Sequence, residues 1–214
     1  MIETRTELPI AQQSAVRLVL LVTYKCNLGC RYCFVPKADA HMPLRTLRRA
    51  VDFLLSSRKK GLQIHFFGAE PLLLPFASYR KMVSYARRRM AETGKKIDFI
   101  LTTTGVLLDD DKIAFFKKTG FTIELSIDGT PLSQNLNRPQ KSGRDSYGIL
   151  VKNLPRIFRS GISHRVSMVI SPQTAPYVSS NFCHMIRLGF RRVFMMTACG
   201  MEWPPESLRG LRAQ

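Results

Sequence analysis

The stretch IDFILTTTGVLLDDDKIAFFKKTGFTIELSID, from Ile97 to Asp128, decides how this chain folds. Its first seven residues, with Ile97, Phe99, Ile100 and Leu101, read as a strand. The span 109–119 has helical character and opens on three aspartates, where acidic side chains suit the helix dipole. Gly120 then stands where a helix end favours glycine, and 122–128 reads as a second strand. Strand, helix, glycine and strand in 32 residues make one βα unit and the start of the next.

The pattern repeats in both directions. Upstream, 17–24 reads as a buried strand. The span 44–57 is a helix with Leu47, Ala50, Val51 and Leu54 on one stripe. Strand 63–67 and helix 76–93 follow. Downstream, a long loop leads to a helix over 147–159, which Pro155 is expected to kink or shorten. Strand 165–170, helix 177–188 and strand 191–196 complete the series. Gly61, Gly120, Gly161 and Gly189 each fall between a helix and the next strand. Alternation of this kind predicts an α/β fold with a parallel sheet. Six units without a dinucleotide-binding glycine fingerprint favour a partial (β/α)6 TIM-like barrel in a single domain. We expect a lead-in over 1–16, a core barrel over 17–200 and a C-terminal stub over 201–214.

With 214 residues, 45% hydrophobic and 22% charged, the chain can bury a full core and does not read as disordered. Its net charge of +18 attracts anionic partners. The basic residues are nevertheless dispersed over helix faces and turns, where Lys and Arg are commonly just solvated. The apolar run at 16–22 is too short to span a bilayer, so no membrane partner is expected. The first residues mix charges and lack a signal-peptide cleavage site. A cytoplasmic location follows, and the five cysteines then read as thiols or metal ligands.

Parallel α/β folds place their active sites at the carboxyl ends of the strands, and the unusual residues collect there. Cys26, Cys30 and Cys33 follow strand one. Gly68-Ala69-Glu70-Pro71 follows strand two, Thr102 to Gly105 strand three, and Ser126-Ile-Asp128-Gly129 closes strand four. Ser171-Pro172 and Thr197 to Gly200 end the last two strands. Three thiols within eight residues pair poorly as disulfides and can ligate a metal. Iron–sulfur clusters normally take four cysteine thiolates, so a local trio leaves one iron open. The competing reading is a zinc knuckle completed by Cys199 or His41.

The C-x3-C-x2-C spacing, with Tyr32 before the last cysteine, resembles the signature of the radical S-adenosylmethionine (SAM) superfamily. Gly68-Ala-Glu-Pro71 is similar to that family's G-G-E-P segment. Ser126 to Pro131, then Asn137-Arg-Pro139 and Gly143, resemble a segment of its peptide- and protein-modifying branch, which includes anaerobic sulfatase-maturating enzymes and ribosomal peptide maturases. The resemblance runs from about Leu18 to Met196.

It implies a [4Fe–4S] cluster on Cys26, Cys30 and Cys33, with SAM on the open iron. Reductive cleavage would give a 5′-deoxyadenosyl radical for hydrogen abstraction, with electrons from a flavodoxin- or ferredoxin-type donor. Glu70 would receive the SAM ammonium, and Gly68 would allow close backbone approach. Ala69 departs from the family's second glycine. Ser126 would bind the ribose, Asp128 would support its loop, and Arg138 would reach the SAM carboxylate. Tyr32 and Phe34 would shield cluster and adenine, and Thr104 is a further candidate contact. Pro71 completes the cofactor-binding segment.

No residue is assigned a catalytic role. Cys183, Cys199, His65, Met195 and Met196 read as packed residues, and His41, His164 and His184 have no recognisable partners. Relatives in that branch usually carry a cysteine-rich C-terminal extension. Here only 206–212 remains to make a final helix, which leaves a fragment and a minimal member both open. A peptide or protein substrate is the favoured reading. An RNA substrate, which the charge permits, and a truncated non-catalytic iron–sulfur barrel are the alternatives.

Overall fold

The computed structural model describes residues 15–143 and 145–214. All but the last two residues of the expected lead-in over 1–16 lie outside the described residues. Six strands, β1 (Val16–Leu21), β2 (Leu62–Phe67), β3 (Ile97–Thr103), β4 (Phe121–Ser126), β5 (His164–Ile170) and β6 (Val193–Thr197), stand in sequence order, every neighbouring pair parallel. Among the described residues β1 and β6 do not pair with each other, so the sheet is an open half-barrel with two free edges. Among the described residues seven α-helices accompany it: α1 (Leu44–Leu55), α2 (Phe76–Thr93), α3 (Asp110–Thr119), α4 (Pro131–Asn137), α5 (Ser146–Ser160), α6 (Val178–Arg187) and α7 (Pro205–Arg212).

The core lies between the sheet and the helices. Along β2, Leu62, Ile64 and Phe66 are buried against Leu47, Val51 and Leu54 of α1 and Tyr79 and Met82 of α2. Phe66, Tyr79, Phe99, Phe116 and Phe121 form one aromatic cluster, with ring centroids 4.8 Å apart for Phe116 and Phe121 and 5.5 Å for Phe66 and Phe121. Each such side chain contributes about 1.5–3 kcal/mol by leaving water. Alternate residues occupy the opposite face, where Gln63, His65, Thr102, Glu124, Arg165 and Ser167 stand on the concave side.

Asp109 caps α3 by accepting from the Lys112 N–H at 2.8 Å, and Gly120 ends that helix in the left-handed conformation at φ 81°.

The structure corrects several expectations. The long loop after β4 contains α4, which Thr130 caps and Pro131 starts. Pro155 neither shortens nor breaks α5, which runs on to Ser160. Met195 and Met196 are not core: they are 48% and 55% exposed on an edge strand that only β5 pairs. Cys183 is exposed on α6. His41, His164 and His184 all have partners, in Thr23, the Ile162 carbonyl and the Tyr147 hydroxyl.

Candidate active site

The cysteine loop between β1 and α1 is held by main-chain bonds at both ends. The Tyr24 N–H donates to Ala40 and the Met42 N–H to Val22. In its middle, the Gly29 N–H donates to the Pro139 carbonyl at 2.8 Å and the Arg31 N–H to the Asn137 carbonyl at 2.9 Å. Leu28, fully buried, anchors the turn. The Asn137-Arg-Pro139 segment therefore clamps the loop that carries the three thiols.

All three cysteines line one cavity of about 400 Å³ at the carboxyl ends of the strands. Cys26 is buried and Cys30 and Cys33 half-buried. The Leu28 N–H donates to the Cys26 sulfur at 3.4 Å, and the Lys37 ammonium to the Cys33 sulfur at 2.8 Å. Burial pushes the Cys26 and Cys30 thiols up, and the nearby Arg138 works against this at Cys30. Among the described residues no three His, Cys, Asp or Glu side chains converge tightly enough to hold a single metal ion. A cube of iron and sulfide has a different requirement, since each thiolate binds its own corner.

Gly68, Ala69, Thr104, Ser126, Arg138 and Tyr32 line the same cavity. Glu70 and Pro71 are not part of its lining. Glu70 is 0% exposed, and its two carboxylate oxygens accept four hydrogen bonds, from the Leu72 N–H, the Thr103 hydroxyl, the Thr104 N–H and the Thr104 hydroxyl, at 2.6–3.1 Å. The side chain ties the ends of β2 and β3 together, and its oxygens are saturated by the protein's own donors. Gly68 has φ 136°, and a Cβ there would stand 2.7 Å from the Thr23 carbonyl oxygen. The close approach that requires glycine is therefore to the chain's own backbone.

Asp128, also outside the cavity lining, is a second buried hub. It accepts from the Tyr32 hydroxyl at 2.5 Å and from the Val169 N–H at 2.9 Å. Arg138 brings its Nε within 3.0 Å of the same Asp128 oxygen that Tyr32 uses. That nitrogen nonetheless makes no aligned hydrogen bond, so the pair is a charge contact with donor capacity left over. Burial opposes the Arg138 charge, and Asp128, Tyr32 and Cys30 together outweigh it. The guanidinium lies 5.2 Å from the Tyr32 ring centroid. Burial raises the Tyr32 hydroxyl well above its ordinary value. Ser126, buried at the cavity wall, makes no side-chain hydrogen bond within the described residues.

Phe34 is 74% exposed, with its ring stacked 6.3 Å from Phe67, so Tyr32 shields the loop and Phe34 borders its mouth. Cys199 is exposed and lines the cavity, contrary to the buried thiol expected. His65 is buried as expected, yet it too faces the cavity. With Glu124, Arg165 and Arg17 it forms a polar floor that the sequence reading passed over. The overlooked signal is charge at alternate positions of otherwise apolar strands.

An open parallel half-barrel with a cysteine-bearing loop over its carboxyl end is the layout of an enzyme core that handles a metal cluster. The chain belongs to the Radical SAM superfamily, whose family model matches residues 20–175. It is 27% identical over 172 residues to a serine-type anaerobic sulfatase-maturating enzyme of Klebsiella aerogenes, covering 78% of this chain and 42% of that protein. Among solved structures it is similar to native anSMEcpe with bound AdoMet, with a TM-score of 0.81 and 22% identity over 91% of this chain and 57% of that one. SuiB of Streptococcus suis, bound to its precursor peptide SuiA, matches with a TM-score of 0.66 and 18% identity over 92% of this chain and 44% of that one. These two likenesses establish the common fold. The chain spans about half the length of the relatives it matches.

The residues present fit the family's cluster and SAM. Three thiols on one clamped loop face a common cavity, two of their sulfurs already accept N–H donors, and a buried guanidinium with an orphan donor faces the same space.

Proposed function

We propose that this chain is the core of a radical SAM enzyme that modifies a peptide or protein, with Cys26, Cys30 and Cys33 as the ligands of a [4Fe–4S] cluster. The observation that carries the reading is the convergence of the three thiols, Ser126, Thr104 and Arg138 on one cavity at the carboxyl ends of the strands. The relatives named for sulfatase maturation, and SuiB with its precursor peptide, support a peptide substrate.

When bound, the cluster supplies the electron that cleaves SAM to a 5′-deoxyadenosyl radical able to take a hydrogen atom from substrate. The protein's part is placement and exclusion of water. Arg138, pressed between Asp128 and the Tyr32 ring, offers guanidinium donors to the cofactor carboxylate. Ser126 offers an unpaired hydroxyl for the ribose. The main chain at Gly68 and Ala69, whose N–H already donates to Thr23, borders the cofactor space. Glu70 acts at one remove: by saturating its oxygens with Thr103 and Thr104 it fixes the height of the β2 and β3 ends. We therefore assign it to positioning and leave the SAM ammonium to groups on the cavity wall. The Leu28 N–H works against burial at the Cys26 sulfur, and the Lys37 ammonium rests on the Cys33 sulfur.

An external flavodoxin- or ferredoxin-type donor would supply the electron, and the cytoplasm is the compartment that suits reduced thiols. No helix of the described residues is long and apolar enough to cross a membrane. The test is anaerobic reconstitution with iron and sulfide, then reduction with SAM. We expect a brown protein that forms 5′-deoxyadenosine, and loss of both colour and product in Cys30→Ala. Stoichiometric zinc uptake with no iron would sink the assignment.

A further inference from the structure

The floor of the cavity is made by side chains that the proposed cofactor chemistry does not use. Thr102, Glu124 and Arg165 are register partners across β3, β4 and β5. His65 Nε2 lies 2.5 Å from the Thr102 hydroxyl, which donates to Glu124 Oε1 at 2.8 Å. Because that hydroxyl proton goes to the carboxylate, His65 serves as the donor to Thr102. Burial lowers its pKa, against the pull of Glu124, and keeps the ring neutral near pH 7. Arg165 gives Glu124 Oε2 its Nε–H at 2.6 Å, and its guanidinium stands 4.6 Å from the Phe194 ring centroid. Its terminal NH2 groups find no acceptor among the described residues. Arg17, also on the lining, donates to the neutral Gln63 amide oxygen at 3.0 Å, its one side-chain partner among the described residues.

Charge follows from these contacts. Glu124 and Arg165 cancel, His65 is neutral, and Arg17 pairs with no carboxylate among the described residues. Asp98, lower on β3, is not part of the lining. Among the described residues the floor therefore carries one unanswered positive charge beside a guanidinium fork whose plane is fixed on both sides. Such a fork is matched to a carboxylate. Above it stand apolar groups, Phe67, Val169 and Met196, and above those the cysteine loop. Glu124 lies two strand residues below Ser126, roughly 7 Å, a depth that a single side chain reaches.

We infer that the barrel floor is a receptor for one carboxylate of the substrate, held by the terminal NH2 groups of Arg165 with Arg17 alongside. The proposal rests on the peptide-modifying reading above and deepens it: the substrate peptide carries an acidic group at or next to the residue that enters the barrel. The carboxylate belongs to an Asp or Glu side chain or to the peptide's own C-terminus. Glu124 and Thr102 are positioning residues that aim Arg165. Folded or duplex RNA is far larger than the cavity of about 400 Å³ and would meet its rim first.

The test uses the full chain, loaded with its cluster and SAM. Cleavage of SAM by the wild type is read separately, and its absence sinks the enzyme reading alone. Binding is then measured by fluorescence polarisation with end-blocked nonapeptide pools fixed at the centre as Glu, Asp, Gln or Lys. A further pool has central Ala and a free C-terminal carboxylate. We expect the Glu or Asp pool, or the free-terminus pool, to bind about tenfold more tightly than Gln, with Lys the weakest. Either carboxylate source upholds the receptor. The preference should fall to within twofold in Arg165→Gln. That variant strands the Glu124 carboxylate, so Glu124→Gln/Arg165→Gln and the exposed Arg17→Gln are measured beside it, the last with a partial loss. Equal binding of every pool, or a preference for Lys, overturns the inference. So does an RNA oligomer that outbinds all pools and loses its affinity in Arg165→Gln.

Discussion

On β4, Phe121, Ile123 and Leu125 are buried in the cluster of Phe66, Phe99 and Phe116, whereas Glu124 and Ser126, one position along, line the cavity. The same alternation puts Ile64 and Phe66 against the helices and His65 on the concave side. A parallel sheet covered by helices on both faces reads as an unbroken apolar run. This sheet is covered on one face, and the other is free to carry function. The outer face should therefore govern stability and the inner face recognition.

That division can be broken in order of expected effect. Phe121→Ala removes a ring from the centre of the outer cluster and should cost about 3–5 kcal/mol, read by urea unfolding of the cluster-free protein. A smaller loss there would mean the helices do not hold the sheet. Glu70→Ala leaves four buried donors without an acceptor and should cost about 3 kcal/mol. Here the expected partition is blurred, because a residue beside the site behaves as a structural one. A Glu70→Ala protein with unchanged stability and lost SAM binding would return the carboxylate to the cofactor.

Asp109→Ala should cost about 1 kcal/mol by uncapping α3. The sign of its pH dependence follows from Asp109's lowered pKa. Burial pushes that carboxyl up, but the Lys112 side chain and N–H hold it below its ordinary value. Its contribution is thus complete above the unfolded carboxylate range, near ~3.9, and is lost as pH falls through the folded value. The gap between wild type and variant should close on acidification. Ser167→Ala, on the inner face, should shift stability by no more than about 0.5 kcal/mol. A larger loss would show that the concave side is a second core.

Much of this was legible in the sequence because local chemistry set it. The span 97–103 is a strand and 76–93 a helix, as their patterns require. The cysteine trio stood out by its spacing, and the structure brings all three thiols to one cavity. What escaped was non-local. α4 is a short helix whose Thr130-Pro131 start is a recognisable signal, but its seven residues show no periodicity. The saturation of Glu70 depends on Thr103 and Thr104, more than thirty residues away. Met195 and Met196 looked like core because a sequence does not reveal which strand ends a sheet. Arg165 and Glu124 were passed over because each seems an ordinary surface charge until the register makes them neighbours.

The clamp on the cysteine loop has a consequence for the life of the cofactor. Gly29 and Arg31 are fixed by carbonyls of Pro139 and Asn137, and these bonds involve no sulfur. In a zinc finger, ion capture and chain ordering are a single event. Here bonds that belong to the fold itself share in ordering the loop. Oxygen damage that strips the iron should leave a socket still in shape, ready for repair in place.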